Sequence, residues 1–187
     1  NQSTVVGSGT GESQFDFSVH SQKWGNLIGI PGRDEFQMNI SEHYDGGYLI
    51  TGNIRYGGDN VHGWLIKTDI NGQILWDKVI TTLPDKAQIS ITIFDTLGNL
   101  YIFGWLLQNH PNEFPIVAKL NACGELQWCR LLAIDGYDFG FFNDAIFLDN
   151  GDVLGLAIMP EDDPSNNNRI ILFRISPEGD LIWKKGY

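Results

Sequence analysis

Residues 64–80 read Trp-Leu-Ile-Lys-Thr-Asp-Ile-Asn-Gly-Gln-Ile-Leu-Trp-Asp-Lys-Val-Ile, and this stretch decides the fold. Apolar and β-branched residues on both sides of Asn71-Gly72 are typical of two short strands. The Asn-Gly dipeptide accepts the positive φ angles that a two-residue type I′ turn needs at both central positions. The stretch therefore predicts a β-hairpin that turns at Asn71-Gly72.

The same hairpin recurs twice more, at residues 116–132 and 170–186. In every copy a turn glycine precedes a tryptophan by four residues; the pairs are Gly72 and Trp76, Gly124 and Trp128, and Gly179 and Trp183. The three pairs are almost evenly spaced along the chain. Self-similarity at a nearly fixed period indicates a repeat architecture. We expect the three indoles to pack between successive sheets, because a buried tryptophan normally serves the core.

A second hairpin precedes each copy, with turns predicted near residues 45–47, 96–99 and 149–151. Four antiparallel strands in about 50 residues is the content of one propeller blade. The sequence thus predicts an all-β, β-propeller-like tandem array of about three four-stranded antiparallel blades. Closed propellers have about 4–8 blades, so the ring would be incomplete. The predicted divisions are an N-terminal arm and degenerate strand of a preceding unit at 1–35, repeat 1 at 36–80, repeat 2 at 81–135 and repeat 3 at 136–187.

Charge and hydropathy argue against a nucleic-acid partner and against a membrane-spanning segment. The chain carries 12 Lys and Arg against 23 Asp and Glu, a net charge of −11, which repels phosphate backbones. We therefore expect no nucleic-acid partner. No apolar run reaches the roughly 20 residues of a membrane-spanning helix. The chain begins without Met, which suggests an excised or mature product.

Cys123 and Cys129 flank the second glycine–tryptophan pair. An oxidising, secreted setting would let them form a disulfide. If Cys123-Gly124 is a two-residue turn, however, strand geometry places the two α-carbons beyond the roughly 7 Å limit for a bridge. A wider loop would remove that obstacle. The spacing therefore leaves both a disulfide and two free thiols open.

The pattern Lys-(Leu/Thr)-(Asp/Asn)-x-x-Gly-x-x-x-Trp resembles the repeat of pyrroloquinoline-quinone-like propellers. The fuller pattern, Asp45-Gly46-Gly47-Tyr48 through Gly52 followed by Trp64-Leu65-Ile66-Lys67, is similar to repeats in large secreted and surface proteins of bacteria that use type IX secretion. The resemblance covers roughly residues 36–187 and implies an extracellular or cell-surface location. Cys123-Gly124-Glu125 with Trp128-Cys129 also resembles a variant of that repeat in which the cysteines pair. No functional residues carry over.

Candidate sites are few. The loop between the second and third strand differs most between repeats, and variable loops at one edge of an array favour recognition. Aromatic rings near these loops can stack on sugars or anchor a protein, which makes five residues binding candidates: Tyr56, Trp105, Phe114, Tyr137 and Phe139. Asp162 and Asp163 offer oxygen ligands for calcium, although a solvated loop is the simpler explanation of them. Thr96, in Asp95-Thr96-Leu97, resembles an O-glycan acceptor of the same bacteria.

No nucleophile elbow and no zinc-binding helix motif occurs, and the four histidines lack ligand spacing. We therefore predict no enzymatic activity, no cofactor and no metal site. The predicted function is a non-catalytic structural or adhesive scaffold that acts through other protein chains or further blades of a longer parent. The first alternative is a lectin-like glycan-binding module, and the second is part of a larger propeller enzyme.

Overall fold

The computed structural model describes residues 6–7, 13–14, 28–58, 60–82, 85–108, 112–132, 141–160 and 168–187. All its regular elements are strands: β1 (Val6–Gly7), β2 (Ser13–Gln14), β3 (Asp34–Glu42), β4 (Tyr48–Arg55), β5 (Val61–Thr68), β6 (Ile74–Thr82), β7 (Asp85–Phe94), β8 (Leu100–Gln108), β9 (Asn112–Leu120), β10 (Leu126–Leu131), β11 (Phe141–Phe147), β12 (Val153–Pro160), β13 (Asn168–Ile175) and β14 (Leu181–Gly186). Within these residues no helix is long and apolar enough to cross a membrane.

Three four-stranded antiparallel sheets follow one another along the chain, which confirms the predicted propeller-like array. Sheet 1 is β3–β6, sheet 2 is β7–β10 and sheet 3 is β11–β14. Sheets 1 and 2 are continuous, because β6 pairs with β7 at Thr81–Lys86 and Thr82–Asp85. Strands β1 and β2 form a separate two-stranded ribbon. The proposed division of the chain at residues 36, 81 and 136 stays a prediction.

The turn at Asn71-Gly72 is not the two-residue type I′ turn that the dipeptide predicts. The amide of Gly72 donates to the carbonyl of Asp69, and the amide of Asp69 donates to the carbonyl of Gln73. Gly72, at φ +78°, is therefore the last residue of a four-residue turn. A tight turn followed by a glycine in the left-handed region is the common three-residue hairpin loop with a bulge. The side chain of Asp69 explains the difference, since it accepts from the amides of both Asn71 and Gln73.

This loop closes both hairpins of every sheet. Its positive-φ glycines are Gly46, Gly72, Gly98, Gly124, Gly151 and Gly179. They are almost evenly spaced in the sequence, at half the period that separates one sheet from the next. The smallest repeating unit is therefore one hairpin, and each sheet contains two.

Most of the core lies between the sheets. Tyr101 and Phe103 of β8 pack on sheet 3, where Phe103 meets Phe142 and Phe173 at ring-centroid distances of 5.5 and 6.1 Å. Between sheets 1 and 2, Leu49 and Leu65 are buried against residues of β7, β8 and β9. Each fully buried side chain of this size contributes about 1.5–3 kcal/mol. Stacking of sheets therefore provides two of the buried clusters, and a third, formed by Ile54, Trp64 and Ile66, lies on the outer face of sheet 1 against Ile28 and Ile30.

A polar clamp also joins sheets 1 and 2. Asn53 is fully buried, its amide nitrogen donates to the carbonyl of Ile89, and its oxygen accepts from the amide of Ile89. Ile89 lies where β7 bulges, because the pairing register with β8 shifts between Ile89 and Ile91. A bulge leaves backbone groups without ladder partners. The side chain of Asn53 satisfies them, which holds the bulge against the neighbouring sheet.

The tryptophans of the first two repeats contact glycine turns of the next sheet. A β-carbon at Gly124 would lie 3.1 Å from the indole of Trp76. One at Gly179 would lie 2.9 Å from the indole of Trp128, whose Nε1 donates to the carbonyl of Pro177 at 3.2 Å. Each of these indoles thus covers the turn of the following sheet. In the second repeat, Gly124 therefore contacts the preceding sheet, whereas Trp128 contacts the following one.

Candidate functional site

The antiparallel topology gives each sheet two different ends. All six glycine loops lie at one end, which we call the turn end. The opposite end, called the loop end, contains the connections from the second to the third strand and the starts of β3, β7 and β11. The turn end repeats with little variation, whereas the connections at the loop end differ in sequence and length. Recognition is therefore expected at the loop end.

Side chains at the turn end are used for structure. The first residue of the loop accepts two backbone N–H groups in four copies, through Asp69, Asp95, Asn121 and Ser176. Such caps replace backbone hydrogen bonds that the loop cannot make. The side chain of Asp69 is thereby already engaged by its own turn.

A buried cation has the same structural use. Lys67 of β5 is 3% exposed, and its Nζ lies 2.8 Å from Oδ1 of Asp45 and 3.0 Å from the carbonyl of Thr68. The hydrogen bond from Lys67, with those from Gly47 and His43, lowers the pKa of Asp45 from 3.8 to about 2. This ion pair closes the turn end of sheet 1.

Sheet 3 contains an equivalent pair. Arg174 occupies the position of Lys67, and its guanidinium contacts the carboxylate of Asp152. Hydrogen bonds from Asn150 and then Arg174 lower the pKa of Asp152. These two ion pairs therefore hold loops and strands together at the turn end.

The loop end of sheet 1 gathers charged and aromatic groups. Arg33 donates to the carbonyl of Tyr56 at 2.7 Å, and its guanidinium lies 4.8 Å from the centre of the Tyr56 ring. The rings of Tyr56 and His62 meet edge to face at 5.7 Å. At the same end of the sheet, on its other face, Arg55 approaches Asp34 at 3.9 Å, and the side chain of Asp34 is 77% exposed. We call Arg33, Asp34, Arg55, Tyr56 and His62 the loop-end cluster.

An aromatic pair marks the loop end between sheets 2 and 3. Trp105 of β8 is buried, and its ring meets that of Phe141 edge to face at 5.4 Å. Phe141, at the start of β11, is 45% exposed. The accessible ring at this place is therefore Phe141, which sequence reasoning missed because a phenylalanine opening a strand has no distinguishing spacing.

The five predicted binding residues lie in different environments. Tyr56 is half-buried and belongs to the loop-end cluster, whereas Trp105 serves mainly the core. Phe114 pairs with Leu106 in the sheet, but its side chain lies outside the described residues, as do Tyr137 and Phe139. Their role in binding stays a prediction. Arg33, Asp34 and Arg55 were not predicted, because only the fold brings residues from two strands together.

The remaining predicted sites are the cysteines, Thr96 and the two calcium candidates. Cys123 and Cys129 are free, exposed thiols, so the structure does not contain the disulfide that the resemblance implies. Cys129 lies on β10 opposite Ala118, while Cys123 stays in the turn. Thr96 is exposed in its turn, and its glycosylation stays a prediction. Asp162 and Asp163 lie outside the described residues, within which no group of three or more His, Cys, Asp or Glu could hold a metal ion.

An apolar groove lies on the outer face of sheet 1, at the turn end. It has a volume of about 560 Å³ and is lined by Ile28, Ile40, Tyr48, Ile50, Thr68, Ile70, Asn71 and Gly72. Ile40 and Ile70 are 66% and 68% exposed at its rim. The groove is on the side of sheet 1 that faces away from sheet 2, so the cores between the sheets do not fill it.

Comparison with known proteins adds the fold but no family. No protein-family model matches the chain, and no curated protein matches it in sequence. Seven chains of solved structures match its fold. One is the crystal structure of endo-arabinase from Bacteroides thetaiotaomicron VPI-5482, with a TM-score of 0.60 and 14% sequence identity, covering 94% of this chain and 67% of that chain.

This match corrects the functional prediction. A non-catalytic scaffold and the absence of enzymatic activity were expected because no catalytic motif is visible in the sequence. The endo-arabinase is a glycoside hydrolase, and the structural match covers nearly the whole length of the present chain. The fold that this chain shares is thus one that an enzyme uses, which corrects the expectation of a scaffold without catalytic activity. The coarser part of the resemblance, propeller-like repeats, is confirmed.

Proposed function

We propose that this chain is part of a propeller enzyme that acts on a polysaccharide at the loop end of its sheets. The observation that carries the proposal is the similarity of its fold to that of an endo-arabinase over 94% of the chain. The similar region is 67% of the endo-arabinase chain, which supports an active enzyme with more sheets than the three described here. Those sheets would come from another chain or from further blades of a longer parent.

The loop-end cluster offers chemistry that fits a sugar. Glycoside hydrolysis uses two carboxyl groups, one as general acid and the other as nucleophile or general base. Asp34 is an exposed carboxylate at this end, with the guanidinium of Arg55 3.9 Å away. We assign Asp34 the role of nucleophile or base. The second carboxyl group would be supplied from another sheet, because Glu35, the neighbouring acid on β3, is engaged with the amide of Ile30.

Aromatic groups supply the binding surface. The Tyr56 ring, flanked by Arg33 and His62, lies at the same end of sheet 1 as Asp34. A ring of this kind stacks on the apolar face of a sugar, and the guanidinium donates to its hydroxyl groups. The lectin-like alternative uses the same residues without Asp34.

The finer resemblance to repeats of type IX secretion adds a location: we place the protein outside the cell or on its surface, where polymeric glycans are accessible.

The test is an activity assay of the natural, full-length polypeptide on a panel of polysaccharides that includes arabinan, with release of reducing ends as the readout. We expect Asp34→Asn to lower kcat by about 10²-fold or more, the range for loss of a catalytic acid or base. Tyr56→Ala should raise KM with a smaller effect on kcat. The matched control is Glu42→Gln, an exposed carboxylate at the opposite end of the same strand.

Two outcomes would contradict the proposal. Equal activity of the wild type and Asp34→Asn would remove Asp34 from the mechanism. Binding of a polysaccharide without any hydrolysis, with affinity lost in Tyr56→Ala and retained in Asp34→Asn, would favour the lectin-like alternative. Cell fractionation of the source organism tests the extracellular location separately.

A further inference from the structure

The contact between one sheet and the next is built twice from the same parts. Trp76 covers the turn of Gly124, and Lys78, two positions further on the same face, donates to the carbonyl of Gly124 at 3.1 Å. Trp128 covers the turn of Gly179, with Arg130 beside its ring. The third sheet repeats the tryptophan and the following cation, which we call the donor half of the contact; the glycine turn is the acceptor half. Lys185 lies 5.9 Å from the centre of the Trp183 ring. No later sheet within the described residues receives that pair.

The whole outer face of sheet 3 repeats a face that is buried elsewhere. Counted from the glycine turns, Leu154 and Leu156 of β12 are equivalent to Tyr101 and Phe103 of β8, which are 2% and 0% exposed between sheets 2 and 3. In sheet 3 both leucines are only half-buried. We call this surface the tail face; around the two leucines it consists of Ile146, Ile170, Leu181, Trp183 and Lys185. Its three outer aliphatic side chains are 53%, 49% and 41% exposed.

The opposite end of the array carries the acceptor half. The groove on sheet 1 lies beside the turn of Gly72, the same turn that Gly124 and Gly179 provide in sheets 2 and 3. In those sheets the place beside the turn is taken by an indole from the preceding sheet. The groove is apolar, has a volume of about 560 Å³ and is flanked by the exposed Ile40 and Ile70. An indole is the side chain that this repeated geometry accommodates.

We propose that two copies of this chain associate head to tail, with Trp183 of each copy inserted in the groove beside Gly72 of the other. Both halves of the contact are on one polypeptide, on the first and the last of its three four-stranded sheets, and the contact continues the one already made twice inside the chain. Lys185 would donate to the carbonyl of Gly72, as Lys78 does to that of Gly124. Two such contacts close a ring of six sheets, within the range of about 4–8 for closed propellers.

Sedimentation of the full chain tests the association. We expect a concentration-dependent species of twice 21.0 kDa. Trp183→Ala should weaken dimerisation by about 30-fold or more, as removal of a central interface tryptophan does. Ile70→Glu, which puts a charge at the rim of the groove, should have a similar effect. The matched control is Ile182→Ala, because Ile182 neighbours Trp183 on β14 but points to the other face and is 49% exposed.

Mixing the two variants distinguishes a head-to-tail contact from other dimers. Trp183→Ala retains an intact groove, and Ile70→Glu retains an intact indole, so the mixture can form one native contact. We expect each variant to be monomeric alone and the mixture to contain an open heterodimer. A far-UV circular dichroism spectrum like that of the wild type shows that each variant is folded, since loss of the dimer alone lowers the apparent Tm.

The proposal is overturned by three results. A chain that stays monomeric at all accessible concentrations shows that the groove and the tail face are covered by other parts of the same polypeptide. A dimer that survives Trp183→Ala uses another surface. Open filaments in place of a closed dimer contradict the ring. None of these readouts depends on activity, so the association and the proposed enzymatic function can fail separately.

Discussion

The indole of Trp128, on sheet 2, lies directly on the backbone of Gly179, which belongs to a turn of sheet 3. Two independent properties of glycine are used there. Its φ angle of +90° is in the left-handed region, and a β-carbon would meet the six-membered ring of the indole at 2.9 Å. The tryptophan in turn donates to the carbonyl of Pro177. Sheets 2 and 3 are therefore joined at a point that admits no side chain.

Gly179→Ala should destabilise the protein by about 2–3 kcal/mol, the combination of backbone strain and overpacking. Gly46→Ala separates the two effects, because Gly46 has φ +78° but no atom within 4 Å of its β-carbon position. The control should lose only about 1 kcal/mol. Denaturant unfolding measures both. Equal losses in the two variants would show that the indole moves aside without cost.

Asn53→Leu should cost about 2–4 kcal/mol, since it leaves the amide and the carbonyl of Ile89 buried without their partner. Gln127→Ala removes an exposed amide from β10 and should change the free energy of unfolding by less than about 0.5 kcal/mol. Urea unfolding is again the measurement. A small effect of Asn53→Leu would mean that the bulge of β7 finds other partners.

Lowering the pH should reduce the free energy of unfolding by protonating Asp45, the partner of Lys67 at the turn end of sheet 1. The pKa of Asp45 is about 2 in the folded protein and 3.8 in its ordinary state, so the folded protein binds fewer protons than the unfolded chain between these values. The stability from this group is present above about pH 4 and is lost as the pH falls towards about 2. Asp45→Asn should flatten that part of the profile of unfolding free energy against pH.

Asp69→Asn is the control for this pH profile. Asp69 caps its turn through backbone amides, and asparagine already performs that role at Asn121. Asp69→Asn should therefore keep its turn capped, so that a change of slope seen only in Asp45→Asn is attributable to Asp45. A slope in Asp45→Asn as steep as that of the wild type would contradict the assignment to Asp45.

Both thiols should react without prior reduction. Alkylation of the unfolded, unreduced protein is expected to add two groups by mass spectrometry, because Cys123 and Cys129 are free. In the folded Cys123→Ser variant, partial desolvation raises the pKa of the Cys129 thiol from 9.0. Alkylation at neutral pH should therefore be slow and should accelerate with alkali, since the thiolate is the reactive form. A single adduct, or none, on the unfolded wild type would indicate a disulfide.

Much of the fold follows from Gly72, Trp76 and their copies, because turn glycines and apolar alternation are local signals. The contact between Trp76 and Gly124 is not local, and nothing in the spacing shows that a tryptophan packs on the glycine of the next repeat rather than on its own. The type of turn was also mispredicted, since the cap by Asp69 outweighs the preference of Asn-Gly. Likewise, Arg33 and Tyr56 meet only because β3 and β4 pair, so the loop-end cluster required the structure.

The glycine loops have a consequence for how this molecule can change. In the part of the chain that the structure describes, every positive-φ hairpin glycine of the repeated series lies at one end of the sheets together with the side chains that cap its loop. Residues that specify folding and residues suited to recognition are thus found on opposite rims. Loops such as the one around Tyr56 can be exchanged for others, by evolution or by a designer, while the rim that specifies the architecture stays untouched.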